Sequence, residues 1–303
     1  HESDDMANTL TFGNYTVELS NEDKVLFPES GMTKGELIDY YEKIADTMLP
    51  HLQDRPVTLQ RFPDGIDKEG FYQKSISDYF PDWIERETVS KENGKVTHVI
   101  CNNTATLVYL ANQACITPHV WTSRRSKPHH PDLMVFDLDP PSDDFTPVRQ
   151  AARALHELLG DLDLRSFVKT TGSKGAHVVV PLDKRANFDT VRDIGQRIAK
   201  KMAEQDPDEW TTEQRKDKRK GRVFIDTNRN AYGQTAVTPY AVRARENAPV
   251  ATPLHWDELD DSDLTSTSFT IKSMFRRLGQ TDDPWKNIYR HQQSLEKAEK
   301  KLG

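Results

Sequence analysis

Apolar positions recur along this chain with periods of about 3.6 and 2, the signatures of helix and strand. Behind Thr33-Lys34-Gly35-Glu36, a capping-box pattern, Leu37, Ile38, Tyr41, Ile44, Ala45 and Met48 fall on one helical face. That spacing predicts a helix ending before Pro50. Residues 56–62 read as a strand, 95–100 as one arm of a hairpin, 105–114 as a buried helix and 119–122 as a short extended piece. An apolar strand covers 132–139 and stops at Pro140-Pro141. Thr146 and Pro147 open a helix whose inner face carries Val148, Ala152, Leu155 and Leu159. Two strands, 166–170 and 176–180, flank the loop 171–175. A second amphipathic helix follows, with Phe188, Val191, Ile194, Ile198 and Met202, and 223–226 is a short strand ending on an acid. The order β-α-β-β-α-β over 130–240 predicts a split βαβ, RRM-like sheet within an α/β (α+β) fold. The whole reads as a single domain over 11–303, with an N-terminal lobe (11–120), a catalytic core (121–265) and a charged, helical C-terminal segment (266–303). Residues 1–10 read as a disordered tail or an expression remnant.

With 303 residues, 35% hydrophobic and 29% charged, the composition suits a soluble globular protein with a highly charged surface. No apolar run nears the ~18 residues of a membrane span, and the first residues lack the apolar stretch of a secretory signal. Cys101 and Cys115 make neither a CxxC pair nor, without clustered His, a zinc site. Buried reduced thiols and a cytoplasmic, non-membrane location are expected. A net charge of −7 argues against a polyanionic partner only where charge is evenly spread. Here residues 215–222 carry six basic side chains against one Asp, and Arg124-Arg125-Ser126-Lys127 precede His129 and His130. Each run is open to two readings, a basic stripe or a solvated loop.

Three segments carry chemistry. Asp137 and Asp139 are two apart at a strand end, so both carboxylates point to one face. Their repulsion invites a divalent cation, and oxygen-only donors favour Mg²⁺ or Mn²⁺ over zinc. Asp226, ending another strand, supplies the third carboxylate of a two-metal site for in-line phosphoryl displacement. The loop Thr171-Gly172-Ser173-Lys174-Gly175, followed by His177, offers successive N–H groups, hydroxyls and cationic donors as an anion nest. It is not a Walker loop, because strand rather than helix follows. Arg243 can grip a triphosphate bidentately, and Asn230 and Gly233 fit a loop over the site.

These segments, DLMVFDLDPP (132–141), TTGSKGAHVVVPL (170–182) and VFIDTNRNAYGQTAVTPYAVRARENAPV (223–250), resemble the polymerase domain of bacterial DNA ligase D, in the archaeo-eukaryotic primase superfamily. NEDKVLFPESGMTKGELIDYY (21–41), GFYQK (70–74) and ACITPHVWTSR (114–124) extend the match in order from about residue 20 to 265. The resemblance implies a primase-type catalytic core. It implies DNA-end-directed, template-dependent nucleotide transfer in non-homologous end joining, with Mn²⁺ or Mg²⁺ and a preference for ribonucleotides. The expected substrates are NTPs or dNTPs and DNA with 5′-phosphorylated gaps or double-strand-break ends. A Ku-type end-binding protein is an expected partner, and the bacterial nucleoid the expected location. By motif position, Asp137, Asp139 and Asp226 are the catalytic metal ligands. Thr171, Ser173, Lys174, His177 and Arg243 contact the nucleotide, His119 its sugar, and Phe71 the incoming base. Lys24 and Lys34 bind the downstream 5′-phosphate, and Asn21, Phe71, Tyr72 and Lys74 contact DNA.

Two departures stand out. Thr171 replaces the usual Ser, which bears on sugar discrimination. No ligase KxDG segment occurs, so the chain reads as an excised domain or a stand-alone polymerase served by a ligase in trans. A stand-alone gap-filling primase-polymerase is therefore the nearest alternative. A haloacid dehalogenase-type phosphohydrolase would follow the second Asp with a small residue, where this chain has Pro140-Pro141. A catalytically idle end-bridging module would not need the carboxylate set.

Overall fold

The structure is a computed structural model and describes residues 8–303; most of the tail expected over 1–10 lies outside them. In chain order the elements are β1 (Thr9–Phe12), β2 (Tyr15–Glu18), β3 (Val25–Phe27), β4 (Met32–Thr33), α1 (Lys34–Leu52), β5 (Pro56–Arg61), β6 (Phe71–Gln73), β7 (Arg86–Lys91), β8 (Gly94–Ile100), α2 (Thr104–Asn112) and β9 (Cys115–Trp121). There follow β10 (Leu133–Asp139), α3 (Thr146–Asp161), β11 (Phe167–Thr170), β12 (Ala176–Pro181), α4 (Phe188–Gln205), β13 (Trp210–Thr211), β14 (Val223–Asp226), β15 (Thr235–Val237), β16 (Thr252–Leu254), α5 (Met274–Gln280) and α6 (Glu296–Leu302).

The second sheet runs β13-β14-β10-β12-β11-β16. Its middle four strands have the order and antiparallel pairing of a split βαβ unit, as the sequence pattern predicts. Alternation separates its faces. Phe136, Leu138, Val168, Val178 and Ile225 pack under α3 and α4, while Val135 and Val179 meet Trp285 and Ile288 on the other face. The first sheet, β15-β9-β5-β8-β7 with β6 beside β5, packs its inner face on α1 and α2. Thr33 and Glu36 cap α1 reciprocally.

Four expectations need correction. The helix does not end before Pro50; it runs to Leu52, because proline in the last turn forfeits one N–H while His51 and Leu52 gain burial. The boundary at 120 is crossed. β15 pairs with β9, and Tyr240, Ala241, Val242 and Val250 enter the first core before β16 returns to β11. Residues 266–303 are mostly non-helical, since only α5, α6 and one 3₁₀ turn, Ile288–Arg290, are helical there, and Trp285 is buried between α5 and α6. Asn230 is not a lid residue. It is fully buried, and its amide takes both the N–H and C=O of Val135 at 2.8 Å, continuing β10's pairing where β14 turns away.

A buried ion cluster ties the lobes together. Arg55, entering β5, forms a fork on Asp132, just before β10, at 2.7 and 2.8 Å, and Arg124 adds a third bond at 2.9 Å.

Candidate active site

Strand register assembles the site. Asp137 of β10 stands opposite Asp226 on one side and His177 on the other, and His177 stands opposite Lys169. Directly opposed residues share a face. Asp226, Asp137, His177 and Lys169 therefore form one row across four strands, and Asp139 joins it two residues on.

Each carboxylate is engaged. His177 Nε2 lies 3.5 Å from Asp137 Oδ1, and Arg229 approaches Oδ2 at 3.9 Å. Arg219 pairs with Asp139 at 3.2 Å while its guanidinium lies 3.9 Å from the Phe224 ring centre. Asn228 donates its backbone N–H to Asp226 at 2.8 Å. Burial, and then the charge of Asp137, raises the pKa of Asp139; burial likewise raises Asp226. Burial opposes ionisation of Asp137 itself, yet His177, Arg229 and Arg243 outweigh it and hold its carboxyl below the usual range. Burial, with Arg243 nearby, lowers Lys169 to about 7, and burial lowers His177 to about 4 against the pull of Asp137.

Among the described residues no three acidic, His or Cys side chains converge closely enough, as they stand, to hold a metal ion. Arg219 and Asn228 hold Asp139 and Asp226 in other company. The donor set nonetheless fits a hard divalent cation. It has three carboxylates on one face and only oxygen donors, and burial already disfavours the charge on two of them.

The loop 171–175 approaches the strand end backbone to backbone. Gly172 has φ +71°, and a Cβ there would fall 2.8 Å from Arg243 Cγ. A Cβ at 175 would overlap the Leu138 carbonyl oxygen outright. Lys174 is exposed and near enough to Asp139 to favour its carboxylate, and Ser173 accepts a bond from Arg245 at 2.9 Å. Thr171 behaves otherwise than its sequence role suggests. Its hydroxyl is buried inside the loop, 3.1 Å from both the Gly175 carbonyl and Ser266 Oγ, and accepts the N–H groups of Ser173 and Gly175. It shapes the loop and does not face the cleft.

Across the cleft, Thr58 stands opposite His119 and Gln60 opposite Tyr72. His119 Nε2 lies 3.0 Å from Gln60 Oε1, its ring is 5.8 Å from that of Tyr72, and burial with Arg243 lowers its pKa to about 3. Val237 of β15 pairs with His119, and its carbonyl receives the Lys169 ammonium, so one residue joins the two sheets at the site. Arg243 is half-buried, donates to the Thr171 carbonyl and feels both Tyr72 and Asp137.

The structure divides the two aromatics of β6. Tyr72 sits beside His119, whereas Phe71 is on the opposite face with Arg61 5.1 Å over its ring. Phe71 is therefore not brought to the nucleotide side. Its link is to Lys34, through Arg61, whose charge acts on that ammonium. Lys34 is buried, donates to the Ser20 carbonyl at 2.5 Å and is lowered to about 8 by burial, then by Lys24 and Arg61. Lys24 is partly exposed and pairs with Asp64 at 3.1 Å. Asn21, at φ +53°, starts the turn whose carbonyl receives the Lys24 N–H. Lys74 is exposed just after β6.

Sequence reasoning missed Lys169, Arg219, Arg229, Gln60 and Arg61. A lysine inside an otherwise apolar strand was the one available signal for Lys169. The other four are ordinary polar residues until the fold gathers them.

Residues 33–285 match the family described as the LigD primase-polymerase domain. The chain is 36% identical over 256 residues to the multifunctional non-homologous end joining protein LigD of Mycolicibacterium smegmatis, covering 84% of this chain and 34% of that protein. It is 34% identical over 279 residues to the bifunctional non-homologous end joining protein LigD of Bacillus subtilis, covering 91% of this chain and 45% of that protein. The chain thus spans a third to under half of these relatives. Its fold matches the polymerase domain from Mycobacterium tuberculosis ligase D in complex with DNA at a TM-score of 0.86 and 32% identity, covering 91% of this chain and 99% of that one. A split βαβ sheet presenting a row of carboxylates, and a family match over most of its length, place the chain in the LigD primase-polymerase domain family, a family of nucleotidyltransferases.

Proposed function

We propose that this chain adds template-directed nucleotides to DNA 3′ ends at gaps and double-strand breaks whose far side carries a 5′-phosphate. Such filling serves non-homologous end joining, the process in its relatives' names. The observation that carries the reading is the row Asp226–Asp137–His177–Lys169, flanked by a cationic loop and faced by His119 and Tyr72.

Asp137, Asp139 and Asp226 would hold two divalent cations, Mg²⁺ or Mn²⁺, which when bound supply Lewis-acid stabilisation of the attacking and leaving oxygens. Lys174 and Arg243 take the charge of the triphosphate, since the N–H groups of Ser173 and Gly175 are already given to the Thr171 hydroxyl, and the bond from Arg243 to the Thr171 carbonyl fixes the guanidinium in advance. His177 keeps a buried Nδ1 without a partner among the described residues, a polar atom left for the substrate to satisfy. His119, oriented by Gln60, meets the sugar, with Tyr72 beside it for the base. A ribonucleotide preference would arise from these groups rather than from Thr171. Lys24 and Lys34 receive the 5′-phosphate, with Asn21, Phe71 and Lys74 along the DNA. A Ku-type protein and a DNA ligase, in cis or in trans, complete the repair at the bacterial nucleoid.

Primer extension tests this. With Mn²⁺ and ribonucleotides, a primer on a gapped duplex bearing a 5′-phosphate is expected to grow, and Asp137→Ala to leave it unextended. No extension, with phosphate released from a generic monoester instead, would overturn the proposal.

A further inference from the structure

We infer that Tyr79 is an additional DNA-contact residue, whose ring forms with Phe71 a stacking platform for a template base beside the 5′-phosphate pocket. The inference rests on the reading of Lys24 and Lys34 as that pocket.

Tyr79 and Tyr72 are the most exposed large apolar side chains among the described residues, at 62% each. Tyr72 has a place at the nucleotide side, while Tyr79 has none in the site described above. The core does not hold its ring either. Its neighbour Phe80 is the residue that enters, meeting Tyr79 edge-on at 5.2 Å and Tyr109 at 5.0 Å.

The exposed ring is nonetheless fixed. Its hydroxyl lies 3.2 Å from Gln113 Oε1 and 3.4 Å from Arg61 Nη1. Arg61 is held in turn by the Gln113 carbonyl at 2.7 Å and Gln73 Oε1 at 2.8 Å, and lies 5.1 Å over Phe71. One guanidinium therefore organises two exposed rings, on the side of β6 away from His119. The same guanidinium is close enough to Lys34 to act on its ammonium.

A ring held by side-chain hydrogen bonds, as Tyr79 is, loses little freedom on binding. A cationic cluster flanked by such rings matches a phosphate backbone with its bases. Stacking there is indifferent to sequence, because every base has a π-face. A neutral protein surface would offer the rings apolar contact but would leave Lys34 and Arg61, which make no ion pair among the described residues, without an anionic counterpart; Lys24 has only its exposed pair with Asp64.

The test uses gapped duplexes with 2-aminopurine in the template, opposite the 5′ end of the downstream strand, with and without its phosphate. The wild-type protein is expected to bind the phosphorylated duplex more tightly and to change the probe's fluorescence. Tyr79→Ala should weaken binding of phosphorylated DNA by about 5- to 150-fold, the range of one stacked base, and abolish most of the fluorescence change. Tyr79→Phe keeps the ring and loses only the hydroxyl's hold on it, so it should lose clearly less than Tyr79→Ala, about 2- to 10-fold. Phosphate-dependent binding that Tyr79→Ala leaves intact overturns this inference alone. So does a Tyr79→Phe loss equal to that of Tyr79→Ala, which would assign the effect to support of Arg61. Wild-type indifference to the 5′-phosphate removes the pocket reading and the inference together.

Discussion

Gly175→Ala couples packing to catalysis most directly. A Cβ at 175 would overlap the Leu138 carbonyl oxygen, with the carbonyl carbon only 3.1 Å away and Pro140 Cδ at 3.5 Å. These atoms are backbone and ring, so no flexible side chain can yield. Leu138 lies between Asp137 and Asp139, and Gly175 follows Lys174, so relief must move the carboxylates, the anion loop or both. A shift of about 1 Å is needed, and a misplacement of that size costs on the order of 10²-fold in rate. The stability cost, by comparison, is that of ordinary overpacking, about 1–3 kcal/mol. A separation is therefore expected: single-turnover extension falls about 100-fold while the protein still melts cooperatively. Gly160→Ala is the control. Gly160 lies near the end of α3 with nothing within 4 Å of a new Cβ, so stability should rise slightly and the rate should hold. A Gly175→Ala protein with wild-type rate and nucleotide KM would refute the claim that the loop and strand end are held in register by backbone contact.

Asp226→Ala should lose several kcal/mol of transition-state stabilisation, a rate loss on the order of 10³ or more; a near-normal rate in metal-dependent extension would remove it from the metal set. Lys24→Ala with Lys34→Ala should weaken binding and reduce the salt slope by about 1–2, but only on 5′-phosphorylated DNA; equal losses on both DNAs would mean generic backbone contacts. Thr171→Ser should leave the ratio of ribonucleotide to deoxynucleotide incorporation unchanged, since the hydroxyl is consumed inside the loop, and a changed ratio would return it to the sugar. Asp132→Asn should cost about 3–5 kcal/mol in urea unfolding, because Arg55 is left fully buried and unmatched; a cost below about 1 kcal/mol would show the cluster to be dispensable. Burial opposes ionisation of Asp132, yet Arg55 and Arg124 hold its pKa below the usual range. Its contribution is therefore present above that range and lost as pH falls below it, which a pH series of wild type against Asp132→Asn would detect.

The catalytic sheet is legible in the sequence because its strands and helices alternate within one stretch of chain and each buries a face of matching period. The ownership of residues 235–251 is not. Thr235-Ala236-Val237 reads as extended whichever sheet it joins, and only tertiary packing sends it to β9. The same limit applies at Pro50, where the rule that proline ends a helix yields to the burial of Leu52. Asn230 shows it again at the scale of one side chain, since nothing local marks an amide that substitutes for a strand partner.

Three aspartates can be found by strand period alone, but their partners cannot, and charge runs mislead for the same reason. Arg124 is spent on Asp132, Arg125 on Glu85 and Glu87, Arg219 on Asp139, and Arg222 on the carbonyls of Lys218 and Arg219. Two of the most basic stretches thus do much of their work inside the molecule. The cations that face the proposed DNA and nucleotide are scattered in sequence: Lys24, Lys34, Arg61, Lys174 and Arg243. Lys24, Lys34 and Arg61 gather where the end of β5 comes near the start of α1, and Arg243 reaches the loop that carries Lys174. The Lys24–Asp64 pair is no barrier, because an exposed pair is worth about 0–1 kcal/mol and a phosphate can displace it. Nor is the net charge of −7, since screening over about 8 Å at physiological salt lets a local cluster decide what a polyanion meets.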